Sequence, residues 1–383
     1  PSPSPSPSPS PPPLSILDDR PYSRLDNLFR PTLHSFALLA PAVGTTQLGL
    51  ALSGGDRLDL VRWAVAGYID PKDTAKYSGA GGLILNDLAP WTISLLGQRL
   101  HYTEEVRDDD NMLVATLDRE TRDASVVIGR QYRGTYSLAA GGTYAYDRTD
   151  DTTLRLWGPE AILGYTAIEA TRASGIRRGV ALVGNAAYFP RRSVAIKDAR
   201  AELDVWAPVP LLRRHVLSVA LRGHAVLDAT APLIAVGGES ALPPVYTSTD
   251  ELPDLGVGDG LLPGQRRFTE LLRGFEDFPL VAERVALADI AWRYPLVIDA
   301  GVPYLGFLPG VFLRELELEL FAGACVIRPG ADASADSRHA AAGAALTLHF
   351  SFFRAPLALQ YQATRRLTDD EGILHLVGFG PDL

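Results

Sequence analysis

A single cysteine, Cys325, stands among 383 residues. It leaves no disulfide framework and no multi-cysteine zinc site. No run of about 18 unbroken apolar residues exists, so no membrane-spanning helix is expected. The nearest approach, residues 296–313, holds Asp299, two prolines and three glycines. Positive charge is scarce as well. The formal net charge is −9 and no basic patch stands out, which argues against a nucleic-acid partner. The seven histidines are scattered, without HExxH or paired-ligand spacing, so no metal is expected. "GVGDGLLPG" is glycine-rich but lacks the strand–turn–helix frame of a phosphate cradle. With no nucleophile elbow either, the expectation is a protein that is not an enzyme and carries no cofactor. No signal peptide is visible.

Glycine and proline are abundant, at 35 and 29 residues, in a chain that is 46% apolar. Both interrupt helices, by roughly 1 and 3 kcal/mol per residue, and both suit short strands joined by turns. The chain opens on "PSPSPSPSPSPPPL", an extended, semi-rigid repeat. Residues 1–14 are read as a linker from an upstream domain of a longer chain, and 15–31 as a connector.

Beyond that point the dominant pattern has period two. In "LRELELELF", residues 313–321, Glu315, Glu317 and Glu319 fall on one face, and Leu316, Leu318 and Leu320 on the other. "ARAELDVWA", "VLSVALRGHAVL", "ALTLHFSFF" and "LALQYQAT" divide in the same way. A soluble sandwich also alternates. Two features favour a membrane barrel instead. The segments run to about 10–14 residues, against a usual 5–6 in soluble sheets. Aromatics also cluster near segment ends, at Tyr68, Trp91, Tyr102, Tyr144, Tyr146, Tyr188, Trp206, Trp292 and Tyr294, as interfacial girdles do. In lipid a sheet must close on itself to pair its backbone. The expected fold is therefore all-β, a transmembrane antiparallel barrel over residues 32–383.

Ten strands are read before a long break and five after it, with the first at 45–54 and the last at 372–380. Single-chain barrels normally have even counts, so sixteen are expected. The missing strand is placed at 32–41 or 111–118, and "EEVRDDDN" (104–111) is read as an external loop. The break, about 228–283, is too long for a passive connection. It ends on "LLRGFEDFP".

"LRGF", followed 17 residues later by "WRYP" on an alternating strand, resembles the signature of the bacterial surface-antigen superfamily. That superfamily includes BamA-type insertases, TamA and the two-partner secretion transporters. The resemblance implies that the loop folds into the lumen with Arg273, Gly274 and Phe275 at its tip. It implies that Arg273 pairs with acidic residues on the next two strands. Ala291 stands where the family usually has Glu, which makes Asp289, Glu317 and Glu319 the candidate partners. It also implies five strands after the motif, so the missing strand lies before it. Eleven strands then precede the loop, an odd number, as a periplasmic N-terminus requires. The last strand ends in Leu383 rather than the family's aromatic.

The resemblance implies an outer-membrane protein that assists insertion or translocation of polypeptides through an openable seam between its first and last strands. Outer-membrane lipid, client polypeptides and periplasmic or lipoprotein partners follow from it. The rival readings are an anchor for an upstream domain, a solute or lipid conduit, and a soluble all-β enzyme.

Overall fold

The computed structural model describes residues 28–42, 45–56, 58, 60–107, 113–133, 135–149, 153–171, 175–190, 195–212, 214–229, 234–237, 268–275, 280–298, 311–329, 336–352, 355–368 and 372–381. The linker 1–14, the connector up to residue 27 and most of the 228–283 break lie outside them. No helix occurs among the described residues.

Eleven long strands precede the break. They are β1 (Pro31–Ala42), β2 (Thr45–Gly55), β3 (Val61–Ile69), β4 (Tyr77–Leu88), β5 (Trp91–Arg107), β6 (Leu113–Tyr132), β7 (Tyr136–Arg148), β8 (Thr153–Thr171), β9 (Gly175–Phe189), β10 (Ile196–Pro208) and β11 (Val216–Leu227). Three short strands lie within it, β12 (Ile234–Gly237), β13 (Thr269–Leu271) and β14 (Leu280–Ala282). Five long strands follow, β15 (Arg284–Ile298), β16 (Val311–Arg328), β17 (Ser337–Phe352), β18 (Ala355–Arg366) and β19 (Ile373–Pro381). The long strands form one sixteen-stranded sheet in chain order, with β15 beside β11, and all neighbouring strands in it are antiparallel. The short strands form a separate sheet in the order β13–β12–β14. At the two ends of the large sheet, β1 and β19 approach within 8 Å between Cα atoms. No ladder joins them among the described residues.

Two boundaries differ from the sequence reading. Residues 31–42, at one of the two places expected for the missing strand, form the first strand, so the sheet does not begin at 45–54. Residues 113–118 lengthen β6 rather than adding a strand, and β5 runs on to Arg107, through the first half of the expected loop 104–111. β5 and β6 have 17 and 20 residues, well beyond the roughly 9–11 that cross a bilayer. Charged residues there can pair along the ladder above the apolar zone, which is why a stretch that reads as loop is strand.

Burial inverts the rule for soluble proteins, in which polar residues lie outside and apolar ones inside. Gln98, Thr143, Glu160, Asp204, Glu319, Thr347, Gln360 and Gln362 are buried. Leu138, Leu163, Leu182, Leu221, Ile290, Leu320, Leu346 and Val377 are exposed. Ladder register makes the exposed set continuous, because Leu138 faces Leu163, Leu346 faces Tyr361, and Tyr361 faces Val377. In β16, Glu315 and Glu319 are buried while Leu320 is 46% exposed. Exposed aromatics border this belt. Trp91, Tyr132 and Tyr136 lie toward one rim, and Tyr77, Trp157 and Tyr188 toward the other. Three of the girdle residues expected from sequence are elsewhere, and a fourth lies on the outer face but is covered. Tyr68, Tyr102 and Trp206 are buried on the inner face, and Tyr146 is covered by Arg122 and Arg155. Proximity to a strand end does not reveal which face a ring takes.

Candidate functional site

The described part of the long break lies against the inner face of the sheet. Its apolar side chains Ile234, Val236, Phe268, Leu272 and Phe275 are buried in one cluster with Val285 and Leu287 of β15, Cys325 and Ile327 of β16, and Ala341 of β17. This is the largest apolar core described, and it sits inside the curve of the sheet. Burying about five such side chains at roughly 1.5–3 kcal/mol each accounts for a segment with little regular structure holding one position.

The tip residues each have a distinct contact. Arg273 Nη1 donates to Glu319 Oε1 at 2.9 Å, and the guanidinium lies over the Phe321 ring with Cζ 4.4 Å from its centroid. Gly274 adopts φ +87°, in the left-handed region that favours glycine. A Cβ there would lie 2.8 Å from Thr364 Cγ2 and 3.0 Å from Ala341 Cβ. The carbonyl of Gly274 accepts a 2.6 Å hydrogen bond from Arg366 Nε. Phe275 takes Arg366 over its face, with Cζ 4.6 Å from the centroid, and meets the His339 ring edge-on at 5.5 Å. The tip thus rests on β16, β17 and β18. Of the three candidate acids, Glu319 is the ion-pair partner among the described residues. Asp289 is instead approached by Arg222, at 3.5 Å. Glu317 lies one inward position along β16 from Glu319.

A second anchor was not foreseen from sequence. Glu270, on β13, is buried and accepts from Nδ1 of His224 at 2.8 Å. Nε2 of His224 faces Asp198 Oδ1 at 3.0 Å, and Arg200 Nε lies 3.1 Å from Glu270 Oε1. Burial opposes charge on Glu270, but the His224 hydrogen bond and the nearby Arg200, His224 and Arg222 hold its carboxyl below the usual carboxylate range. A depressed carboxyl contributes stability at pH values above its unfolded pKa, about 4.3, and loses it as pH falls through the lower folded value. A nitroxide label at Leu271 is expected to stay immobile from pH 7 to 5. It should gain mobility only at more acid pH, and Glu270→Gln should remove that step.

The first anchor gives a separate expectation. Arg273→Ala leaves the buried Glu319 carboxylate without its cation. It should lower stability by about 1–3 kcal/mol, read as an earlier urea unfolding midpoint in lipid. Arg273→Lys should restore only part of the loss, because a lysine ammonium cannot reproduce the planar stacking on Phe321. An unchanged midpoint for Arg273→Ala would show that the ion pair does not hold the loop.

No family model and no curated protein matches the chain. Solved structures do. CdiB from Escherichia coli superposes with a TM-score of 0.57 at 12% identity, over 91% of this chain and 62% of that one. BamA from Haemophilus ducreyi, in a form lacking POTRA domains 1–3, superposes with a TM-score of 0.54 at 11% identity, over 92% and 69%. The chain therefore spans less than two thirds of the CdiB chain and shares its fold with both structures.

Proposed function

We propose that this chain is a closed sixteen-stranded outer-membrane barrel that assists insertion or translocation of polypeptides. The observation that carries this reading is the inverted burial. An apolar, aromatic-bordered belt faces outward around a polar interior, and a sheet in hydrocarbon must leave no edge unpaired. The closeness of β1 to β19 supports closure at that seam. The fold shared with BamA and CdiB supports the client class. The loop tip, held by Arg273 and Glu319, braces the wall beside the seam strands. The mechanism is physical. Opening the seam presents backbone donors and acceptors that template an incoming strand.

The test is reconstitution. Vesicles containing the chain should float as integral assemblies and should speed folding of an unfolded eight-stranded barrel client relative to empty vesicles. Integral assembly without acceleration or passenger transfer would sink the insertase reading. The Pro/Ser composition of residues 1–14, of a kind that links domains, favours one second reading, a membrane anchor for another domain. That reading predicts integral assembly with no effect on clients.

A further inference from the structure

The outer face of β5–β8 carries a row of cations directly above the apolar belt. Register places Arg99 opposite Arg122, Arg122 opposite Tyr146, and Tyr146 opposite Arg155, across four neighbouring strands. Two residues nearer the belt, about 7 Å lower, Tyr144 pairs with Trp157, which is 67% exposed. Below that lie Val126 and Ile128, both exposed. The order going outward is aliphatic, aromatic, cationic. The row is at the rim where the long loop begins, since β5 and β11 run in the same direction in the sheet.

Among the described residues of this face the charges do not balance. Like charges opposite one another across a ladder are destabilising, yet Arg99 and Arg122 are so placed. One carboxylate, Glu120, serves three guanidinium groups. It lies 2.7 Å from Arg99 Nε, 2.7 Å from Arg122 Nη2 and 3.4 Å from Arg148 Nη2. Asp118 is shared by Lys76 at 3.2 Å, His101 at 3.2 Å and Arg148 at 3.9 Å. Arg155 is exposed, lies over the Tyr146 ring at 5.4 Å, and has no carboxylate partner among the described residues. Among the described residues of this face, Lys76, Arg99, Arg122, Arg148 and Arg155 stand with two acids, Asp118 and Glu120, five cations to two carboxylates.

We propose that this face docks a membrane lipid whose headgroup bears more than one phosphate. Guanidinium forks suit phosphate oxygens. The four strands set the row across about 14 Å, which is wider than one phosphate needs. The aromatic row below would meet the glycerol or sugar level, and the belt would meet the acyl chains. The proposal rests on the reading of the outer face as bilayer-facing. Each cation near a lipid surface contributes about 1 kcal/mol, or roughly fivefold in affinity.

The test is native mass spectrometry of the full chain released from nanodiscs containing equal amounts of diphosphoryl and monophosphoryl lipid A. The wild type should retain the diphosphoryl form about tenfold over the monophosphoryl form. R155Q should weaken that preference about fivefold with unchanged unfolding in urea, and R122Q/R155Q should abolish it. Equal retention of both lipids by the wild type would overturn the proposal. So would full displacement by millimolar inorganic phosphate, which would make the free ion the ligand, or displacement by poly-glutamate, which would make the partner an acidic polypeptide. Failure of the chain to enter the nanodisc at all would instead overturn the bilayer-facing reading.

Discussion

Leu163→Arg is expected to destabilise the folded protein in a bilayer by about 2–4 kcal/mol, the cost of a cation near the membrane midplane. Leu163 is 60% exposed and lies mid-strand in β8 between Leu138 and Gly184. If the outer face met water, the same change would be worth no more than about 0.5 kcal/mol, because surface substitutions away from packed groups are nearly neutral. The two environments thus give different answers for one residue. Leu211→Arg supplies the comparison. Leu211 is fully exposed in the turn between β10 and β11, beyond the belt, where a cation costs about 0–1 kcal/mol. Urea unfolding in lipid vesicles, followed by tryptophan fluorescence, reads both. A near-zero effect of Leu163→Arg would remove the basis for a membrane barrel, and a large effect of Leu211→Arg would show that the belt boundary is misplaced.

The alternation that marks Leu163 as outward is legible in the sequence because side-chain direction in a strand depends only on parity. Glu315, Glu319 and Leu320 take the faces that parity assigns them. The choice of Arg273 was also accessible, since its motif is local. Other features depend on register, which sequence does not print. Arg99, Arg122 and Arg155 become one row only when three ladders are aligned. The anchor at Glu270 joins residues 46 apart to His224, and Glu270 sits in a segment without periodicity, so no pattern points to it. β1 stands as one of two places for the missing strand, rather than being read outright, for a different reason. "PTLHSFALLAPA" carries Phe36, Ala37, Leu38 and Leu39 in succession and a proline near each end, which erases the two-residue period. The ends of β5 and β6 escape the strand reading because charge reads as loop, whereas Asp118 and Glu120 of β6 pair with His101 and Arg99 of β5 across the ladder.

A disulfide across the seam is expected to reduce client insertion by more than about tenfold, with recovery on reduction. The proposed seam joins β1 and β19, the two ends of the large sheet, so one cysteine belongs in 31–42 and the other in 373–381. Their Cα atoms should be about 5.5–6 Å apart to bridge without strain. Cys325→Ala removes the competing thiol, which is buried. The size of the effect follows from the energetics of exchange. Each backbone hydrogen bond that closed the proposed seam would contribute about 1 kcal/mol net, and an unpaired group in hydrocarbon costs several times that. Opening several pairs is therefore improbable alone. It becomes nearly neutral when an incoming strand takes up the freed donors and acceptors as they separate. A covalent bridge forbids that exchange while leaving the apolar belt, the Arg273–Glu319 contact and the lumen unchanged. A membrane anchor or a solute conduit needs none of it, so either would work as well oxidised as reduced. Oxidised protein that still inserts clients at the reduced rate would mean that the seam does not open in the course of the reaction.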